Sequence, residues 1–140
     1  MSHVNPSDPA GPAASIAVPL GMLGLLAVQF LLGMALNLYV SIPAFGASMA
    51  AMMRTGPLVM MHMMLGMLLA GGALLALALA LPLGRRAAGC ASVGLVGILV
   101  AGLGGLLFLM DGQTNGTSYL MAVGFLVAVA GYVAEVVTVR

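Results

Sequence analysis

His62 stands among Met60, Met61, Met63, Met64 and Met67 in the stretch PLVMMHMMLGM, residues 57–67. Imidazole and thioether are ligands that Cu(I) favours, so a histidine with inward methionines can hold a soft metal. A histidine in a helical bundle is also a usual axial ligand of heme, with methionine permitted as the second. Two plainer roles compete with these. The histidine can serve as a hydrogen-bonding link between helices, and methionine is an adaptable filler of irregular gaps. Asn37 is the partner expected for His62, because the two lie at the same depth once their helices are placed.

Placing those helices is straightforward. The chain of 140 residues is 63% hydrophobic and 5% charged, with a net charge of +1, and its mean hydropathy is +1.22. Soluble domains carry roughly 25% charged residues, so this is the composition of a membrane protein. No basic patch is available for nucleic acid. Cys90 is the single cysteine, which excludes an internal disulfide and a cysteine-built zinc or iron-sulfur site within one chain. It reads as a small buried hydrophobe.

Crossing a hydrocarbon core of about 30 Å takes roughly 20 helical residues. Apolar runs of that length lie at about 17–42, 57–81, 88–110 and 118–139. Pro57 suits a first helical turn, Pro43 and Pro82 follow helix ends, and DGQTNG, residues 111–116, marks the clearest turn. The expected fold is all-α, a transmembrane up-down four-helix bundle over residues 16–140. Residues 1–15, with three prolines and no basic leader, read as a disordered tail and not as a cleaved signal peptide.

Four spans put both termini on one side, with Arg85, Arg86 and Arg140, while Arg54 and Asp111 fall on the other. The positive-inside rule then places the termini in the cytoplasm. Asn115-Gly-Thr117 on the outer side reads as a turn too close to the membrane to serve as a glycosylation signal. Tyr39 and Tyr119 suit an outer aromatic belt, and Tyr132 is deep enough to need a hydroxyl partner. Glu135 is expected to reach the inner interface as a solvated anchor, facing Arg85 or Arg86.

Polar residues within spans are expensive and turn toward protein. Gln29, Gly33, Asn37 and Ser41 form an i, i+4 series on the first span, and His62, Gly66 and Ala70 form one on the second. Counted from the expected outer ends at Ile42 and Pro57, Asn37 and His62 are each about 7–8 Å deep. Gly97, Ala101 and Gly105, with Gly124 and Ala128, offer close-packing stripes for the bundle or for a further copy or partner. All methionines except Met1 and Met22 fall at or outside the midplane, and every span contributes through Met34, the group around His62, Met110 and Met121. Met60, Met64 and Met67 form one helical stripe. The connection 44–55 is apolar enough to lie in the interface, with Arg54 in the headgroups, or to cover the methionine layer.

At NLYVSIP, GPLVMMHMMLG and SYLMAVGFLVAVAGY the chain resembles small four-span integral membrane proteins of bacteria, which implies the bacterial cytoplasmic membrane and implies no reaction. The histidine helix is similar to those of b-type cytochrome and heme A synthase bundles. It lacks their second histidine, so heme b held by two histidines would need one from another copy or subunit. No nucleophile with a base, acidic pair or phosphate loop is present, so catalysis is not expected. The expected role is that of a non-catalytic accessory or assembly subunit of a larger membrane complex. The alternatives are a copper- or heme-binding protein centred on His62 and a small oligomeric permease.

Overall fold

A computed structural model of the chain describes residues 12–43, 50, 54, 56–110 and 113–139. Four helices account for almost all of them: α1 (Pro12–Tyr39), α2 (Pro57–Ala80), α3 (Arg85–Met110) and α4 (Asn115–Thr138). Each is long and apolar enough to cross a membrane. They run up and down, and each packs against its two sequence neighbours in a closed ring, with α4 returning to α1. The fold is the expected four-helix bundle. One pole carries Arg54 and the other carries Arg85 and Arg86.

The helix ends differ from the sequence reading in instructive ways. Helix α1 begins at Pro12, so residues 12–15 of the expected tail are helical; residues 1–11 lie outside the described part. Pro12 is acceptable there because the first turn has no intrahelical N–H bonds to lose. Pro19 lies inside the same helix, buried among its neighbours, although proline removes one backbone bond. At its other end α1 stops at Tyr39, short of Ile42. Helix α4 begins at Asn115 after Thr114, so Asn115, Gly116 and Thr117 are its first turn and not part of a loop. Thr117 Oγ1 donates to the Thr114 carbonyl at 2.7 Å and helps to hold that turn.

Two of the connections are tied down through described residues. A 3-10 turn, Leu81–Leu83, and Gly84 at φ 109 join α2 to α3. That positive φ is one that glycine adopts without strain. Ala80, Ala87 and Ala91 pack beneath the turn. At the opposite pole, Gln113 donates from Nε2 to the Ile42 carbonyl at 2.8 Å and binds the α3–α4 connection to the end of α1. Of the apolar 44–55 connection only Ala50 and Arg54 are described, and Arg54 Nε donates to the Ala50 carbonyl at 3.2 Å.

The closest packing is between α3 and α4. A Cβ added to Gly97 would lie 2.3 Å from the Ala128 amide nitrogen, one on Gly124 would lie 2.4 Å from that of Ala101, and one on Gly131 would lie 2.4 Å from that of Gly94. These are backbone-to-backbone contacts that no larger residue permits. Within a bilayer such proximity supplies dispersion contacts in place of a hydrophobic driving force. The contact positions, 94, 97, 101 and 104 against 117, 121, 124, 128 and 131, alternate steps of three and four. That is the 3.5-residue period of a left-handed antiparallel pair.

Candidate functional site

The polar site sits between α1 and α2 and is built by two glycines. Gly33 on α1 leaves room for the His62 ring, whose Cε1 would lie 3.1 Å from a Cβ there. Gly66 on α2 leaves room for Gln29, whose Nε2 would lie 3.3 Å from a Cβ. Each polar side chain therefore rests over the glycine of the opposite helix, one turn from its own. The two side chains meet at 3.3 Å between Gln29 Nε2 and His62 Nε2. With the amide nitrogen as the donor, His62 Nε2 is the acceptor.

Asn37 is not the partner. It is exposed on α1, and the polar contact falls two turns earlier, at Gln29. The cause is the position of the helix end. Measured from Tyr39 and Pro57, where the helices actually stop and start, Gly33 and not Asn37 is level with His62. The longer glutamine then reaches back from the next turn. Of the i, i+4 series on α1, Gln29 and Gly33 face α2, and Ser41 lies beyond the helix.

The pair is only half satisfied. Gln29 Oε1 and His62 Nδ1 are both buried without a hydrogen-bond partner among the described residues, and an orphaned buried polar atom costs about 1–3 kcal/mol. Their one mutual bond is worth about 1 kcal/mol in a membrane protein. The arrangement fixes the register of α1 on α2 more than it stabilises either.

The methionines do not join this site. At 3.6 residues per turn, Met60, Met64 and Met67 lie roughly 140–200° around α2 from His62. They are 47%, 67% and 76% exposed, and Met61 and Met63 are exposed as well. Met34 and Met110 also face outward. Met121 is half-buried against Gly104 and Gly105 in the α3–α4 seam. The methionine that does fill the core is Met22, 4% exposed, with its sulfur seated where a Cβ on Gly72 would come within 3.1 Å. Among the described residues no three His, Cys, Asp or Glu side chains converge as a metal-binding group.

A second polar pair lies on α4 toward the Arg85 pole. Glu135 is 2% exposed and Tyr132 is 0% exposed, and neither the Glu135 Oε2 atom nor the Tyr132 hydroxyl has a partner among the described residues. Glu135 is thus not the solvated anchor expected from its place near the helix end. It occupies the next position of the α3–α4 seam after Gly131, which turns it into the bundle, away from solvent. Extending the seam from Gly124 and Ala128 in alternating steps reaches Gly131 and Glu135, a signal that stepping by four alone passes over. The Tyr132 ring fills the notch at Gly94, where a Cβ would lie 2.7 Å from it. Tyr39 and Tyr119, at the other pole, are exposed as an interfacial belt requires.

Fold and surface together define a multi-pass α-helical membrane protein. No family model, curated protein or solved structure matches the chain.

Proposed function

We propose that the protein is a non-catalytic subunit of a larger membrane complex of the bacterial cytoplasmic membrane. In this reading its termini are cytoplasmic and the outer half of α2 is its docking surface. The observation that supports this is the direction of the methionines. Five of the residues between Met60 and Met67 point away from the bundle. Lipid contact alone is met equally well by leucine, which covers the rest of α2 from Leu68 to Leu79. A cluster of flexible, polarizable side chains on a surface suits an irregular protein partner, to which methionine adapts by changing rotamer. The partner is an apolar helix, since α2 carries no charge in this stretch.

The test is a photocrosslinker placed at Met64 or Met67 in native membranes, with Leu126 on α4, 64% exposed, as the control position. One defined protein adduct at 64 and 67, absent at 126, is expected, and it should persist in His62→Ala. Adducts to lipid alone at all three positions would remove the docking reading. Self-adducts alone would replace it with a homo-oligomer.

Copper or heme at His62 is the competing reading, and the unpartnered Nδ1 is the feature that keeps it. Absorption spectra, oxidised and reduced, with metal analysis on protein from its native membrane, decide it. The subunit reading expects a colourless protein without stoichiometric copper.

A further inference from the structure

We propose that the Arg85 pole binds one anionic phospholipid, with its phosphate on Arg85 and Arg86 and one acyl chain in the groove between α3 and α4. Two recesses meet at these arginines. The first, about 460 Å³, lies under the end of the bundle and is lined by Ser15, Gly84 and Thr138 beside both arginines. The second, about 580 Å³, runs along the bundle from the same arginines over Gly89, Val93, Ala130 and Ala134. A recess of mixed polarity at the end of the bundle and an apolar furrow along it thus meet at one pair of cations. A phospholipid presents headgroup, phosphate and chain in that order.

Charge favours the same occupant. Both arginines are exposed, and neither meets a carboxylate among the described residues. Glu135, the acidic side chain nearest this pole among them, is turned into the bundle. Two uncompensated guanidiniums at the membrane boundary attract anionic lipid, and the guanidinium fork matches phosphate oxygens in pairs.

The furrow is a recess in the protein surface. Gly94, Gly97 and Gly104 on α3 are filled by α4, but among the described residues nothing lies within 4 Å of a Cβ on Gly89. With Ala130 and Ala134 on the opposite wall, the floor stays flat enough for a chain to lie against it. The site stands whether or not the methionine face of α2 has a partner.

The experiment is native mass spectrometry of the full chain in mild detergent, with equal concentrations of phosphatidylglycerol or phosphatidylcholine bearing the same chains. A single phosphatidylglycerol adduct is expected, favoured over phosphatidylcholine by roughly thirtyfold, the factor set by two arginines near an anionic lipid. Arg85→Gln with Arg86→Gln should bring it down to the phosphatidylcholine level. Gly89→Leu, which adds bulk only in open space, should reduce it several-fold with the charges intact, and Ala134→Leu tests the other wall should Gly89→Leu fail to fold. Glycerol phosphate, a headgroup without chains, should not displace the lipid. Equal adducts with both lipids, an adduct indifferent to the arginines, indifference to a filled furrow, or displacement by glycerol phosphate would each overturn the assignment.

Discussion

At the scale of single residues, the Gln29–His62 contact and the Tyr132–Glu135 pair present the same physical problem, a polar group buried with part of its bonding capacity unmet. For the first, a double-mutant cycle with Gln29→Leu and His62→Leu isolates the shared bond from the two orphans. A coupling energy of about 1 kcal/mol is expected in reversible unfolding from mixed micelles. Additive losses would show that the 3.3 Å contact contributes no energy. For the second, Tyr132→Phe removes only a hydroxyl that has no partner among the described residues, so stability should stay level or rise by up to about 1 kcal/mol. A loss of more than about 1 kcal/mol in the same assay would mean that the hydroxyl is bonded to a group outside the described residues. His62 was easy to single out in the sequence, as the one histidine inside a span. Its partner was not, because pairing across two helices depends on where each helix ends, and the stop at Tyr39 shifts the match along α1 by a turn. The methionines illustrate a different gap. Their abundance is plain from composition, yet their direction relative to His62 follows from angular position around α2, which counting residues by depth leaves out.

At the scale of elements, the α3–α4 seam is the part of the bundle whose contact glycines cannot be replaced without moving backbone. Gly97→Ala places a Cβ against the Ala128 backbone, which has no rotamer to give. The helices must separate, at a cost of about 1–3 kcal/mol. Gly102→Ala on the same helix meets nothing within 4 Å and should be neutral or mildly stabilising, since alanine is the better helix former. Equal effects of the two substitutions in an unfolding titration would contradict the close seam. The number of helices, their approximate spans and the small-residue positions Gly97, Ala101, Gly124 and Ala128 were all legible, because apolar length and small-residue spacing are local features of a sequence. Gly94, Gly104, Gly131 and Glu135 were not assigned to the seam, because a supercoiled pair repeats every 3.5 residues and a strict step of four drifts off its face. That drift also explains the misplacement of Glu135. Nearness to a helix end suggests solvent, whereas position on the seam decides burial.

At the scale of the whole molecule, the surface is an apolar belt bounded by unequal charge. Leucine, valine and methionine side chains are exposed along all four helices, as a bundle surrounded by hydrocarbon requires, since lipid gives no reason to hide them. Among the described residues, Arg85 and Arg86 sit at one pole and Arg54 at the other. The up-down topology places the start of α1 and the end of α4 together at the Arg85 pole. Arginine in short connections resists transfer across the membrane, and the proposed cytoplasmic placement of that pole rests on this bias of two against one. A fluorescent protein fused after residue 140 should therefore be bright, and alkaline phosphatase fused there should be inactive, since it needs the oxidising outer compartment for its disulfides. The sign of the charge argument is tested by shifting it. Arg85→Gln with Arg86→Gln leaves Arg54 as the described cation beside the membrane, and adding two lysines next to Arg54 should move part of the population to the opposite orientation, read as phosphatase activity gained where fluorescence is lost. An orientation unchanged by that reversal would mean that the bundle is placed by its first helix or by a partner during assembly, and not by its arginines.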